Sequence, residues 1–292
     1  MSPEPGKSEP YVRLVHSAVA RLAQPVKQAV TLGPGALDLT FEAEAIDPVH
    51  LAVKAALDDA PVDYCVQSAA HRRKRLLIAD MDSTIIGCEC LDELADFAGV
   101  KAEVSAITER AMRGEIGFDG ALRERVGMLK GLPIDALERC YAERVRLNPG
   151  ARTLVRTMAA HGARCALVSG GFSFFTSRVA NAAGFHTDRA NTLIEAAGVL
   201  TGEVGDPILG REAKLAALNK DAAALGIDLT ETVAIGDGAN DLAMINAAGL
   251  GVAYRAKPLV AAEADARIDH TDLTTLLYFQ GYSAEDFEKD GD

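Results

Sequence analysis

The chain has 292 residues, of which 49% are hydrophobic and 25% are charged, a composition typical of globular proteins that excludes a fibrous or disordered chain. The formal net charge of -12 repels polyanions, so we expect neither a nucleic-acid nor a membrane partner. No apolar run reaches the roughly 20 residues that span a bilayer, and five scattered cysteines form no disulfide framework, which predicts a cytoplasmic protein with reduced thiols.

The first 72 residues are predicted to form a small βα domain. Apolar residues alternate at 37–41 and again at 62–66, as they do in half-buried strands. Between these segments, Asp47-Pro48 is typical of a helix start with the aspartate as N-cap, and an apolar helical stripe follows at 49–57. A further strand is expected near residues 11–15, with a helix after it.

A basic run at residues 71–75 marks the predicted boundary between this domain and the rest of the chain. We interpret the run as a solvated connector that leads into a buried strand. A nucleic-acid patch is the alternative interpretation, but no aromatic or glycine-rich segment accompanies the basic side chains.

The remaining chain is predicted to be α/β, with a doubly wound parallel sheet formed by residues 73–87 and 149–292. Short apolar runs separated by helical stretches are typical of parallel strands that are covered on both faces. The predicted strands are 76–79, 165–168, 232–235 and 249–253. The helix-rich residues 88–148 are predicted to form a cap inserted into this core, and a small hairpin is expected over 193–204.

Polar motifs follow three of the predicted strands. Asp80 and Asp82 come directly after the first strand, where open α/β sheets place their ligands. Ser169, Gly170 and Gly171 follow the second strand and could offer a hydroxyl and backbone N–H groups to a phosphate. Each motif taken singly also fits an ordinary solvated turn.

The third motif, around Asp237 and Asp241, follows the strand at 232–235 among glycines. Because neighbouring parallel strands end at one edge of a sheet, we expect these two carboxylates to converge with Asp80 and Asp82. Clustered carboxylates repel one another, and all-oxygen ligands favour Mg²⁺ as the cation between them. A metal facing anion donors is what phosphoryl transfer requires.

In this order, the motifs resemble those of the haloacid-dehalogenase-like superfamily and, within it, of the phosphoserine phosphatases. The matching segments are DMDST at 80–84, VSGG at 168–171, Lys214 in a helix that begins near Arg211, and GDGANDLAMI at 236–245. The resemblance implies a Rossmann-like core, a Mg²⁺ cofactor and a small phosphorylated amino acid as substrate.

The resemblance also implies roles at the sheet edge. Asp80 would be the nucleophile, and Asp82 would be the general acid and then the general base. The metal would be held by Asp80, the Asp82 backbone carbonyl and Asp237. Asp241 would contact these ligands rather than the metal, or would contact the metal through a water molecule. The residues implied in phosphate binding are Ser169, Gly170, Lys214 and Asn240.

Within the cap, four positions match substrate-binding positions of the phosphoserine phosphatases. Glu89 would bind the ammonium group and Arg125 the carboxylate, while Met112 and Phe118 would close over the site and exclude water. The alternative is that Glu89 and Arg125 form a surface charge pair, and the spacing alone does not favour Arg125 over Arg123.

The function implied by the resemblance is hydrolysis of O-phospho-L-serine to L-serine and phosphate, the last step of serine biosynthesis. The alternatives are a related phosphatase or phosphotransferase acting on another small ester such as phosphohomoserine, or a ligand sensor without turnover. The N-terminal segment loosely resembles regulatory domains of the ACT kind, and it is also a candidate for holding a homodimer together.

Overall fold

The computed structural model describes residues 9–20, 22, 26–57, 60–112 and 115–289. Its strands are β1 (Val26–Gly33), β2 (Ala36–Phe41), β3 (Leu76–Ala79), β4 (Arg164–Phe172), β5 (Thr187–Asn191), β6 (Leu193–Ala196), β7 (Val199–Val204), β8 (Thr232–Gly236), β9 (Gly251–Tyr254) and β10 (Ala266–Ile268). Its helices are α1 (Glu9–Ala20), α2 (Ile46–Ala56), α3 (Cys90–Phe97), α4 (Lys101–Met112), α5 (Phe118–Gly127), α6 (Asp135–Arg144), α7 (Ala151–Ala160), α8 (Ser173–Ala183), α9 (Arg211–Leu225), α10 (Leu242–Ala247), α11 (Pro258–Glu263) and α12 (Thr275–Phe279). Within these ranges, no helix has the length and apolarity needed to cross a bilayer.

Six strands form one parallel sheet in the order β10-β9-β8-β3-β4-β5. The chain starts in the middle at β3, adds β4 and β5 on one side, and then adds β8, β9 and β10 on the other. Successive residues of β3 face opposite layers: Leu77 and Ala79 join one buried cluster, and Leu76 and Ile78 join the other. The prediction of a doubly wound α/β core is confirmed, and it places β3, β4 and β8 side by side.

Two strands of this sheet were not predicted. β5 has the sequence TDRAN and is mostly half-buried, and β10 has only three residues. Both lie at the edges of the sheet, where a strand needs no continuous apolar run. The predicted hairpin is confirmed as β6 and β7.

The segment predicted as a cap contains α3 to α6 and leaves and rejoins the core at adjacent points. Ile86 forms an antiparallel bridge with Leu147, and the Asn148 N–H donates to the Ile85 carbonyl at 2.8 Å. The far end of the segment contacts the hairpin, since Gly131 and Leu200 are joined by a backbone hydrogen bond of 2.8 Å. The division of the chain into core and cap at these residues stays a prediction.

The N-terminal elements have an apolar cluster of their own, in which Val19 of α1 packs with Val49 and Val53 of α2. The strand predicted at 11–15 is wrong, because these residues lie in α1, where an apolar face repeats at helical spacing. The alternating residues 62–66 pack against the same cluster but form no strand, so their burial rather than sheet pairing explains the pattern.

The helix predicted after Asp47 begins slightly earlier than expected. α2 starts at Ile46, with Ala45 as its N-cap residue and Asp47 inside the first turn. An acidic side chain there favours the helix through its dipole rather than by capping the first N–H groups. The assignment of residues 1–72 to a separate domain stays a prediction.

The interpretation of the basic run as a solvated connector is wrong for two of its residues. Arg72 forms a 2.6 Å ion pair with Asp38 of β2 and donates to the Phe279 carbonyl at 2.9 Å. Lys74 is 5% exposed, and its ammonium donates to the carbonyls of Thr230 and Gly249. These side chains fasten the N-terminal hairpin and the start of β3 to the core.

Candidate active site

Asp80 lies directly after the carboxyl end of β3, and its side chain is buried. Its Oδ1 accepts a hydrogen bond from the Met81 N–H at 2.8 Å and lies 2.7 Å from Nζ of Lys214. The turn that follows, residues 81–85, places Ser83 at a φ of 56°, a conformation that few side chains adopt. The carboxylate at the predicted nucleophile position is therefore held in one orientation.

Lys214, the fourth residue of α9, is 2% exposed and lies between two carboxylates. Its Nζ is 2.7 Å from Oδ1 of Asp80 and 2.5 Å from Oδ1 of Asp241. Burial alone would lower the pKa of this ammonium, but the two carboxylates hold the pKa above its usual value. Lys214 is therefore charged at neutral pH and offsets part of the negative charge around it.

The loop after β8 is folded around the carboxylate of Asp241. Oδ2 of Asp241 accepts hydrogen bonds from the N–H groups of Asp237 and Gly238, at 3.2 and 3.0 Å. A Cβ at Gly236 would lie 2.5 Å from the Asp241 carboxylate carbon, so a glycine is required there. Asn240 belongs to the same loop, and its side-chain oxygen would lie 2.3 Å from a Cβ at Gly238.

Three carboxylates meet at this edge of the sheet: Asp80, Asp237 and Asp241 each offer an oxygen, and these oxygens lie within 4.8 Å of one another. Burial, and then the charge of Asp241, raises the pKa of Asp80 well above its usual value. The same two causes raise the pKa of Asp237 to about 6. An all-oxygen donor set whose members resist ionisation together fits a hard divalent cation such as Mg²⁺.

The carboxylate of Asp82 is directed elsewhere, so three of the four expected carboxylates converge. Its Oδ2 accepts from the Ser169 hydroxyl at 3.2 Å and its Oδ1 from the Cys90 N–H at 2.9 Å. Burial, and then the nearby charge of Glu89, raises the pKa of Asp82 to about 6. A carboxyl group that titrates near neutrality can both give and take a proton there.

The cap candidates lie above this edge. The Phe118 ring reaches two core glycines, since a Cβ at Gly170 or Gly210 would lie 3.3 or 3.2 Å from its ring carbons. Glu89 accepts a 2.6 Å hydrogen bond from the Ser83 hydroxyl in the turn after Asp80. The structure thus brings Glu89 and Phe118 to the carboxyl edge of the sheet, while their roles toward a substrate stay predictions.

Arg125 and Arg123 have different surroundings. Arg125 is half-buried and makes only long hydrogen bonds, 3.3 Å to the Ala121 carbonyl and 3.5 Å to the Thr108 hydroxyl, with no ion pair among the described residues. Burial lowers the pKa of Arg125, although the charges of Asp92 and Glu89 oppose that effect.

Arg123, in contrast, is exposed and forms a 2.5 Å ion pair with Asp206 of the core. Its charge is already matched, which leaves Arg125 as the better candidate for an incoming carboxylate. Met112 ends α4, and its side chain lies outside the described part of the structure.

Sequence reasoning overlooked two side chains that support the turn after Asp80. The Thr84 hydroxyl donates to Oδ1 of Asp237 at 3.2 Å, and the Asn148 amide donates to the Thr84 carbonyl at 2.8 Å. Thr84 lies inside the DMDST segment, so its proximity to the site was readable from the sequence. Asn148 comes 64 residues later, and nothing local indicates its contact.

The family model of haloacid dehalogenase-like hydrolases matches residues 77–246, which is more than half of the chain. A phosphoserine phosphatase of Streptomyces coelicolor is 41% identical over 274 residues, covering 93% of this chain and 66% of that protein. The chain spans between 60% and 66% of the length of the first curated relatives that it matches.

Two solved structures extend the comparison. A phospho-aspartyl intermediate analogue of phosphoserine phosphatase has a TM-score of 0.66 at 40% identity, covering 71% of this chain and 99% of that chain. A hydrolase of the same family from Salmonella enterica serovar Typhi has a TM-score of 0.83 at 28% identity, covering 94% of both chains. The second likeness extends beyond the residues that the family model matches, to most of the chain.

Proposed function

We propose that the chain, which belongs to the haloacid dehalogenase-like hydrolase family, is a Mg²⁺-dependent phosphatase that hydrolyses O-phospho-L-serine to L-serine and phosphate. The observation that carries the proposal is the pair of carboxyl groups after β3. Asp80 is held against Lys214 beside two further carboxylates, whereas Asp82 is turned toward Ser169 and has a pKa raised to about 6, chiefly by burial. Two carboxyl groups in different surroundings are suited to different roles in one reaction.

In the first step, a carboxylate oxygen of Asp80 attacks phosphorus and the bond from phosphorus to the serine oxygen breaks. The protonated carboxyl of Asp82 gives its proton to the departing oxygen, which leaves as the hydroxyl of L-serine. An alkoxide is a poor leaving group, and such a proton transfer typically contributes about 10²–10⁴-fold. The product of the step is a phosphoryl group on Asp80.

In the second step, water attacks phosphorus and the bond from phosphorus to Asp80 breaks, which frees phosphate. Asp82, now ionised, accepts the proton of the attacking water and returns to its starting form. Its hydrogen bonds from Ser169 and from the Cys90 N–H stabilise the ionised form between the two steps. A pKa near 6 suits a group that must act as acid and then as base.

Asp80 and Asp237 would hold the Mg²⁺ ion, together with the Asp82 backbone carbonyl, while Asp241 stays bound to Lys214 and to the loop after β8. When bound, the ion would neutralise charge on the phosphoryl oxygens and favour the ionised form of Asp80 that attack requires. Lys214 supplies a fixed positive charge at the same place, and Ser169 with Gly170 supplies donors for the phosphoryl oxygens.

Recognition of the amino acid is assigned to the cap. The exposed carboxylate of Glu89 suits an ammonium group, and the half-buried guanidinium of Arg125 suits a carboxylate. Phe118 closes over Gly170 and limits the entry of water. The names of the relatives support phosphoserine as the substrate. A cytoplasmic location, a place at the end of serine biosynthesis and a homodimer through the N-terminal segment belong to the same proposal.

The test is phosphate release from a panel of small esters, with Mg²⁺ and with EDTA. The panel contains O-phospho-L-serine, O-phospho-L-threonine, phosphohomoserine and phosphoethanolamine, with an acceptor alcohol in a parallel series. Preferred turnover of phosphoserine that EDTA abolishes is the expected result. Preference for another ester would overturn the substrate, transfer to the alcohol would indicate a phosphotransferase, and no turnover of any ester would favour a ligand sensor.

A further inference from the structure

Asn191, the last residue of β5, lies where the pairing of β4 with β5 is interrupted. Val168 pairs with Arg189, and the next pair is Phe172 with Asn191. Between these two pairs the chain advances four residues along β4 but only two along β5. The two additional residues of β4 fall within residues 169–171. A strand that carries extra residues leaves backbone polar groups without ladder partners, and these groups need another partner when they are buried.

The Asn191 side chain supplies partners for this interrupted stretch. It is 2% exposed, and its amide nitrogen donates to the carbonyls of Gly170 at 2.8 Å and Leu209 at 3.3 Å. Its amide oxygen accepts from the Leu209 N–H at 2.7 Å. One buried side chain therefore joins the interrupted stretch of β4 at residues 169–171 to the loop that leads into α9.

The hydrogen bond from Asn191 to the Gly170 carbonyl also orients the N–H group of Gly171. The Gly170 carbonyl and the Gly171 N–H belong to one planar peptide unit and point in opposite directions. With the carbonyl held by Asn191, the N–H donates to the Ser169 hydroxyl at 2.8 Å, and that hydroxyl donates to Asp82. The orientation of this peptide thus determines where the Ser169 hydroxyl lies and which donor Asp82 receives.

The bonds to Leu209 act on the other side of the site. Leu209 is followed by Gly210, the N-cap residue of α9, and Lys214 is the fourth residue of that helix. The Phe118 ring lies against Gly170, which accepts a hydrogen bond from Asn191, and against Gly210, which follows Leu209. The side chain therefore connects the serine donor, the lysine helix and the surface on which the cap rests.

We propose that Asn191 is a positioning residue for the phosphoryl site, acting through the Gly170–Gly171 peptide and the start of α9 without touching the substrate. The inference rests on the proposed phosphatase function, since it concerns the same site. If Asn191 only satisfied buried backbone groups, its loss would lower stability and leave the affinity for phosphate unchanged.

The experiment compares Asn191→Leu and Asn191→Asp with the wild-type chain. The leucine variant removes all three hydrogen bonds, whereas the aspartate variant keeps the shape and the bond from Leu209 but cannot donate to the two carbonyls. We expect kcat for the preferred ester to fall about 10- to 100-fold. We also expect the inhibition constant of inorganic phosphate to rise about tenfold, because misplaced donors bind the phosphoryl oxygens less well.

Gln280→Leu is the matched control. Gln280 is also a buried amide that bonds the backbone, accepting from the Lys74 N–H at 3.1 Å and donating to Leu276 at 3.0 Å. It lies at the opposite end of β3, next to the residues that precede the strand. We expect this variant to lose thermal stability while kcat and the phosphate constant stay within about twofold of wild type.

A partly unfolded sample lowers kcat but leaves the phosphate constant unchanged, so the two measurements separate positioning from stability. Should the leucine variant fail to fold, the aspartate variant decides the question. An unchanged phosphate constant in the folded Asn191 variant overturns the proposal. Calorimetric titration with inorganic phosphate tests the role of Asn191 independently of turnover. A wild-type chain that binds phosphate but hydrolyses no ester would refute only the proposed function. A wild-type chain that binds no phosphate would refute both proposals.

Discussion

The carboxyl edge of the sheet and the cap hold their charged side chains in different ways. At the edge, the side chains of Lys214 and Asp241 are 2% and 0% exposed, and both are bonded to several fixed partners. In the cap, Glu89 is exposed and Arg125 makes two long hydrogen bonds. The charged groups of the edge are therefore fixed by the chain itself. Under the proposed function, those of the cap retain capacity for a ligand, so chemistry and recognition would place different demands on the chain.

Removing the proposed nucleophile should lower turnover the most, because no described residue of the cap can replace it. We expect Asp80→Asn to lower kcat at least about 10⁴-fold. Turnover of phosphoserine should be measured with circular dichroism on the same sample, which checks folding. Residual activity within about 100-fold of wild type would contradict the assignment of Asp80.

Removing the buried cation tests whether the edge depends on fixed charge. In Lys214→Met, Asp80 and Asp241 lose their shared partner, so we expect kcat to fall about 10²–10³-fold. Because two buried carboxylates then face each other, we also expect the free energy of unfolding near pH 7.5 to fall by about 3–5 kcal/mol. Urea unfolding measures the second effect, and the exposed Lys220 of the same helix provides the control Lys220→Met. Equal losses in both variants would show that the ion pairs contribute nothing specific.

Replacing the two cap arginines one at a time tests the proposed role of the cap in substrate recognition. We expect Arg125→Ala to lower kcat/KM for phosphoserine about 10- to 100-fold, because the bond between two charged groups is lost. The effect on phosphoethanolamine, which has no carboxylate, should be within about threefold. Arg123→Ala removes only an exposed ion pair and should change either substrate by less than about threefold. A larger effect of Arg123 on phosphoserine would reverse the assignment.

The stability of the chain and its proposed binding of Mg²⁺ should depend on pH in a direction set by Asp237. Burial, and then Asp241, raises the pKa of this carboxyl to about 6, above its value in the unfolded chain, so the folded chain binds the proton more tightly. Without a divalent cation, stability should therefore fall as pH rises from about 4 to about 6. A bound cation needs the ionised form, so apparent Mg²⁺ affinity should weaken about tenfold per pH unit below 6.

Thermal unfolding with and without Mg²⁺, near pH 5 and near pH 7.5, measures the difference between the two states. The two stability profiles should diverge as the pH rises. A Mg²⁺-induced increase in Tm that is as large near pH 5 as near pH 7.5 would show that the ion binds elsewhere.

The arrangement at the carboxyl edge was predictable because its residues follow strands that are buried almost without interruption. All four residues of β3 are fully buried, and the same is nearly true of β8 and the first half of β4. Each motif is a short contiguous segment, so a reading along the chain finds it. The resemblance then supplied roles that periodicity alone cannot assign.

The remaining features depend on partners that are distant in sequence. Asn191 bonds Gly170 and Leu209, 21 and 18 residues away, and its strand is too polar to be recognised as one. Arg72 and Lys74 were predicted to be solvated because their partners are distant in sequence: Asp38 and Phe279 for Arg72, and Thr230 and Gly249 for Lys74. The apolar residues that alternate at 62–66 are buried against the helices of the N-terminal cluster. Over so few residues, this pattern cannot be distinguished from that of a strand.

The adjacent entry and exit points of the predicted cap affect how easily the inserted segment could change in length. Because Ile86 and Leu147 lie side by side, the intervening residues leave and rejoin the rest of the chain at neighbouring points. Exchanging that insertion for one of different length would change loop-closure entropy by less than about 1 kcal/mol for a doubling in length. Under the proposed function, such an exchange would replace the substrate-binding side chains and leave the strands and the three carboxylates at their ends in place.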